Sequence, residues 1–273
     1  MGVMNMKNIE YHQKYFRPSR LPALNLGLLT SEFFNPFYGK TYNEIQLPAE
    51  LTKTPEDTIL NYFRILLEAG NLLGRSCGSV GQGHMPFPIA YNFLSKEYQE
   101  KVSYKEYVQT FAGVGHTSLI KLSKIATEKQ AIRFFYEIET IVGSIDVTAE
   151  YFGYSYGFME IIYEHSGYRI NTNQQIREDF LCAPYHLWEH DAEAAIDIKY
   201  GEWCKLIKKR YPTIKKDYVK YIYFQGTDEA DYCIIFFTLT NGTDIEIIQY
   251  RKESNEDWKQ VKLVPEKDCL QEP

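Results

Sequence analysis

The apolar residues of this chain change their repeat twice, each time from a helical spacing to an alternation of two. Ile59, Phe63, Leu66 and Leu67 stand at offsets of four, seven and eight, one apolar stripe along an α-helix. From residue 132 the pattern becomes Ile132, Phe134, Tyr136 and Ile138 against Arg133, Phe135, Glu137 and Glu139, the alternation of a half-buried strand whose glutamates face solvent. The order then repeats. Ile196, Tyr200, Trp203 and Ile207 share a helical face, and strands follow at 218–224, 232–240 and 244–250. Helices grouped apart from a run of strands do not build alternating βαβ units. They pack against antiparallel sheets, which is the α+β class.

Local signals place the boundaries. Thr54-Pro55-Glu56-Asp57 offers a cap, a proline suited to the first helical position and two carboxylates at the positive end of the dipole. Ser103-Tyr-Lys-Glu106 is a capping-box pattern. Strands are expected at 116–125 and 154–164, with a turn at Ser166-Gly167 before Tyr168-Arg169-Ile170. Asn171 to Asp179 is polar and reads as a linker. Asp191 caps the second long helix, Lys205, Lys208, Lys209 and Arg210 crowd its last turns, and Pro212 stops it. Asn241-Gly242 marks a hairpin, and 258–263 is a closing strand. The expected organisation is an extended arm over 1–50, an α+β domain over 51–178 and a smaller one over 179–273. Phe33, Phe34, Phe37 and Tyr38 anchor the arm.

Charge and cysteines narrow the function classes. The 273 residues carry 30 Lys and Arg against 36 Asp and Glu, so the net charge is 30 − 36 = −6. That balance argues against nucleic acid as the main partner. Five cysteines without a C-x-x-C pair argue against a disulfide framework and point to a reducing, cytoplasmic setting. The interrupted apolar run at Leu21–Leu29 is not a secretory core, and there is no apolar stretch of membrane-spanning length. The 23 tyrosines suit half-buried sheets and interfaces.

Residues 54–178 resemble the NTF2-like, or cystatin-like, α+β cone in their order of elements. The order runs from Thr54-Pro55-Glu56-Asp57 and its helix, through Tyr91-Asn-Phe-Leu-Ser-Lys-Glu97 and the Ser103 helix, to a curled sheet ending in Ser166-Gly167-Tyr168-Arg169-Ile170. Residues 191–264 resemble a shortened second copy with one helix and about four strands. The resemblance implies a pocket between sheet and helices and dimerisation through an open sheet face. It implies no reaction, because the family holds isomerases, dehydratases, transport factors and non-catalytic modules.

The reading favoured by the sequence is a non-catalytic module that binds a small molecule or a protein. Two enzymatic alternatives stand beside it. In ketosteroid-isomerase-like relatives a carboxylate and a tyrosine or histidine project into the cone. Here Glu137, Glu139, Glu160, His116 and His165 are available. The candidate ligand-binding set is Tyr136, Tyr156, Glu160 and His116, and the candidate catalytic groups are Glu160, His116 and Glu189. His186-Leu-Trp-Glu189-His190 matches H-x-x-E-H, whose two histidines could hold zinc with Glu189 as base if all lay on one helix. Otherwise no cofactor is implied. The glycine cluster 70–83 matches no phosphate-loop pattern and reads as a connector holding an ordinary Cys77. Seven basic residues and one acidic between Lys205 and Lys220, with Tyr211 and Tyr218 among them, read as a solvated helix end, or else as a local anionic docking patch.

Overall fold

The computed structural model describes residues 23–25, 31–72, 81–125, 131–143, 151–178, 187–254 and 256–270. It is α+β, with helices and two antiparallel sheets. The chain divides into two compact units, Met1–Glu178 and Asp179–Pro273.

In the first unit, helix α1 (Pro55–Leu67) starts as its sequence dictates: the Asp57 amide donates to Thr54 Oγ1 at 3.0 Å. Short helices follow at α2 (Phe87–Tyr91), α3 (Lys96–Lys101) and α4 (Tyr104–Gln109). The Ser103–Glu106 capping box forms, the Ser103 amide donating to Glu106 Oε2 at 2.9 Å. Four strands then meander in sequence order: β1 (Val114–Lys124), β2 (Ile132–Val142), β3 (Tyr151–Glu164) and β4 (Gly167–Arg177). His165 and Ser166 turn the β3–β4 hairpin with φ of 47° and 73°, the left-handed pair that suits tight hairpins.

The even positions of β2 face the helices. Phe134, Tyr136 and Ile138 join Ile59, Phe63 and Leu66 of α1 in one core, with the Phe63 and Tyr136 rings 5.4 Å apart. Each such ring contributes about 1.5–3 kcal/mol by leaving water. Phe34 and Phe37 of the arm are buried there as well, whereas Tyr38 is 78 % exposed and anchors nothing.

The opposite face of β2 departs from the alternation rule. Phe135 and Glu137 are both buried. Lys121, directly across the ladder from Glu137, meets it at 2.7 Å, with side chains 5 % and 0 % exposed. A partner in register makes a buried charge tolerable, so Glu137 is a neutralised interior group, not the solvent-facing residue that its position suggests. Phe135 lies 6.1 Å from the Tyr156 ring and 5.9 Å from that of Phe158.

The expected linker 171–179 is instead the second half of β4, which pairs with β3 up to Arg177. Apart from Ile176 its side chains are polar on both faces, so no hydrophobic alternation announces it.

In the second unit, Asp191 caps α5 (Ala192–Ala195), its Oδ1 accepting from the Ala194 amide at 2.9 Å. The helix continues as a π-helix over Ile196–Trp203 and stops there, with the Cys204 amide donating to Lys199 O at 3.2 Å. Lys205 takes φ of 50° and turns the chain. The basic run therefore does not decorate a helix end. Ile207–Arg210 is β5, and Ile214–Lys216 is β6. With β7 (Val219–Gly226), β8 (Asp231–Thr238), β9 (Asp244–Lys252) and β10 (Lys259–Val261) they form a six-stranded sheet, two strands more than expected. The Asn241-Gly242 hairpin joins β8 to β9, and Gly242 takes φ of 87°. Tyr200, Ile222, Phe224, Ile234 and Phe236 make this core.

Cys204 and Cys269 are disulfide-bonded, 65 residues apart in sequence with Cα atoms 4.8 Å apart, and tie helix α6 (Pro265–Asp268) to the end of the π-helix. This corrects the expectation of unpaired cysteines: spacing in sequence carried no sign of a contact that only the fold creates. Cys233 is buried and free. Cys77 and Cys182 lie outside the described residues.

Candidate functional site

A cavity of about 500 Å³ lies in the first unit between helices α3 and α4 and the inward face of the sheet. Strand register decides which β4 side chains enter it. Asn173, Gln175 and Arg177 pair with Met159, Gly157 and Ser155 of β3, positions that share the inward face with Tyr136 and Ile138. The helices supply Tyr62, Tyr98 and Tyr107, and the strands supply Thr140 and Ser155. Isoleucine, valine and phenylalanine side chains complete an otherwise apolar wall.

The polar groups are held by one another. Tyr107 Oη donates to Tyr62 Oη at 3.2 Å. Tyr136 Oη donates to Asn173 Oδ1 at 2.6 Å. Gly157 makes that bond feasible, because a Cβ there would lie 2.6 Å from the same hydroxyl oxygen. Burial pushes the Tyr62, Tyr98, Tyr107 and Tyr136 hydroxyls above the usual tyrosine range, so they are neutral donors and acceptors at any ordinary pH. Arg177 is exposed, and its Nη2 donates to Tyr151 Oη at 2.8 Å. It is the only charged side chain among the described residues of the lining.

The candidate residues nominated from the sequence are dispersed by this geometry, and only Tyr136 faces inward. Tyr156 and Glu160 pair with Glu137 and Arg133 across the β2–β3 ladder and so occupy the opposite face. His116 is exposed at a β1 irregularity with φ of 53°. His165 sits in the β3–β4 turn. Glu139 is on the outward face, where its Oε2 accepts from Tyr154 Oη at 2.5 Å. Glu189 and His190 occupy a three-residue 3-10 turn, Trp188–His190, that ends before the Asp191 cap. They are outside the helix that a zinc-binding i, i+4 pair would share, and His186 lies outside the described residues. Among the described residues no group of three His, Cys, Asp or Glu could hold a metal ion. No described helix is long and apolar enough to cross a membrane.

Tyr62, Tyr98, Tyr107, Asn173 and Gln175 were not singled out by sequence. For Asn173 and Gln175 the available signal was their two-residue spacing after Tyr168-Arg169-Ile170. For the tyrosines there was none beyond helical placement.

No family model matches the sequence, and no curated protein matches it. A solved structure described as an "Ntf2 like protein involved in plasmid conjugation" is similar over 63 % of this chain and 90 % of its own, at 7 % identity and a TM-score of 0.20. The fold described above stands on its own strand order and register.

Proposed function

We propose that the first unit is an NTF2-like cone that binds a small, neutral or anionic organic molecule between its helices and sheet, and holds it without transforming it. The observation that carries this reading is the chemistry of the lining. Neutral hydroxyls and carboxamides stand on an apolar wall, with one guanidinium among its exposed members. Such a surface orients a ligand through a few placed hydrogen bonds while apolar contact supplies affinity. Tyrosines held neutral by burial neither take nor release a proton near neutral pH. A volume of about 500 Å³ falls within the size range of small-molecule sites.

The test is a thermal-shift screen of neutral and carboxylate-bearing small molecules against the full chain and its Ser155→Phe variant, which fills the cavity from β3. A ligand at 100 times its Kd stabilises the native state by about 2.7 kcal/mol. Hits that raise the wild-type melting temperature and leave Ser155→Phe unmoved support the reading. Hits that shift both proteins equally, or no hit at all, contradict it. An isomerase in this cavity would instead turn over its hit, which chromatography of the recovered ligand reveals.

A further inference from the structure

A second cavity of the first unit, about 580 Å³, lies among residues 45–52, the start of α3 and the β3–β4 hairpin. Leu94 alone is common to its described lining and that of the first cavity. The backbone ties its walls together. The Ile170 amide donates to Phe93 O at 2.9 Å and the Ser95 amide to Ile170 O at 2.8 Å, so the segment that carries Lys96 is fixed to the strand that carries Arg169.

Two cations and one carboxylate stand in the described lining, with the imidazole of His165 beside them. Arg169 is half-buried, and burial disfavours its charge. Its Nη1 donates to Tyr168 O at 2.8 Å, and no carboxylate comes within ion-pairing distance of it among the described residues. Lys96 is exposed and its ammonium is likewise unpaired among the described residues. The carboxylate is engaged. Glu164 Oε2 accepts from the Lys96 amide at 3.1 Å, and its Oε1 lies 3.5 Å from His165 Nε2. Glu97, next to Lys96 in sequence, is held by Lys101 at 2.6 Å.

Thr52 adds an independent sign of a ligand. It lines the cavity, it is 2 % exposed, and its hydroxyl makes no hydrogen bond among the described residues. A Cβ at Gly167 would collide with Thr52 Oγ1 and lie 2.8 Å from Arg169 Nη1, so hydroxyl and guanidinium converge on one spot that only glycine leaves open. The rest of the lining is rich in acceptors. Asn92 gives its amide hydrogens to Tyr42 O and Pro88 O, and Gln99 gives one to Tyr91 O, which leaves their carboxamide oxygens to accept.

We propose that this cavity binds a sugar phosphate, with the phosphate on Arg169, Lys96 and Thr52 and the sugar hydroxyls donating to Glu164, Asn92 and Gln99. A guanidinium fork takes two oxygens of an oxyanion, so a carboxylate would be filled by Arg169 alone, whereas the third oxygen of a phosphate also meets Lys96. Glu164 opposes a bare anion but accepts from a hydroxyl, so the sugar adds affinity that inorganic phosphate lacks.

The experiment is isothermal titration of the full chain with glucose 6-phosphate, glucose and inorganic phosphate. Glucose 6-phosphate is expected to bind saturably and several-fold tighter than either of the others. Arg169→Gln is expected to weaken it about tenfold or more. Lys96→Gln, at an exposed position that the fold does not need, is expected to weaken it several-fold even should Arg169→Gln fold poorly. Ser155→Phe, which fills the first cavity, is expected to bind it unchanged. Absence of saturable binding of glucose 6-phosphate, inorganic phosphate or glucose binding as tightly, an affinity that survives Lys96→Gln, or loss of binding in Ser155→Phe overturns the proposal.

Discussion

Removing the Cys204–Cys269 bridge should loosen the second unit alone, by an amount that its position in the sequence sets. A bridge spanning 65 residues restricts the unfolded chain by about 2.1 + 1.5R ln 65, or roughly 14.5 cal/mol/K, in the chain-entropy account. At 25 °C that is about 4.3 kcal/mol. For a unit of 273 − 178 = 95 residues, each kcal/mol moves the melting temperature by about 4–8 °C, so the shift is of order 20 °C. The assay is built into the chain. All three tryptophans, Trp188, Trp203 and Trp258, belong to the second unit, so emission excited at 295 nm follows its unfolding and is silent on the first. Denaturant titrations of wild type and Cys269→Ser should differ by roughly 4 kcal/mol in tryptophan emission. Adding a reductant to wild type should reproduce the variant. A midpoint unchanged in Cys269→Ser, or five titratable thiols in the unfolded, unreduced protein, would mean that the bridge does not constrain this unit.

Three further outcomes are expected. Lys121→Met removes the ammonium that faces the buried Glu137 and should destabilise the first unit by up to about 3–5 kcal/mol, measured by far-UV circular dichroism; Lys121→Met with Glu137→Leu should recover most of the loss, and a double variant as unstable as the single one would show that the pair does not act through charge. The raised tyrosines should make the first unit sensitive to alkali. A phenol whose folded pKa lies above its unfolded value of about 10 contributes stability that is complete below that value and lost as pH rises above it; absorbance at 295 nm should show Tyr62, Tyr107 and Tyr136 ionising only with unfolding, and early, reversible titration of all the tyrosines in the folded protein would contradict their burial. Gly157→Ala would place a Cβ 2.3 Å from Gln174 O of the paired β4 backbone and 2.6 Å from Tyr136 Oη, so it should disturb the strand pairing as well as the Tyr136–Asn173 bond and lower stability by more than the roughly 1–3 kcal/mol of that bond alone, which chemical denaturation measures; an unchanged midpoint would mean that neither contact needs the glycine.

Much of the architecture was legible because periodicity and capping are local. Thr54, Ser103, Asp191 and Asn241-Gly242 each mark an element that forms where expected. What was missed is non-local. The inward face of β4 lines a cavity, so Asn173, Gln175 and Arg177 break the apolar alternation by which strands are recognised. Glu137 reads as solvent-facing until register sets Lys121 across from it. The apolar spacing through Ile207 mimics a longer helix, but the π-turn and the left-handed Lys205 end it at Trp203. The candidate set of Tyr136, Tyr156, Glu160 and His116 is spread over more than one face for a related reason. Residue type nominated each member, but strand parity decides the face, and Tyr156 and Glu160 have the opposite parity in the ladder to the inward Gly157 and Met159.

If the space between α3, α4 and the inward sheet face is a ligand site, its lining must respond when a ligand enters. A two-dimensional amide NMR titration of the full chain with a fragment collection of neutral and carboxylate-bearing aromatics reads that response residue by residue. Shifts confined to Tyr62, Tyr107, Ser155, Asn173 and Gln175, and abolished in Ser155→Phe, are the expected result. Shifts that avoid these residues, or that persist in Ser155→Phe, would contradict it.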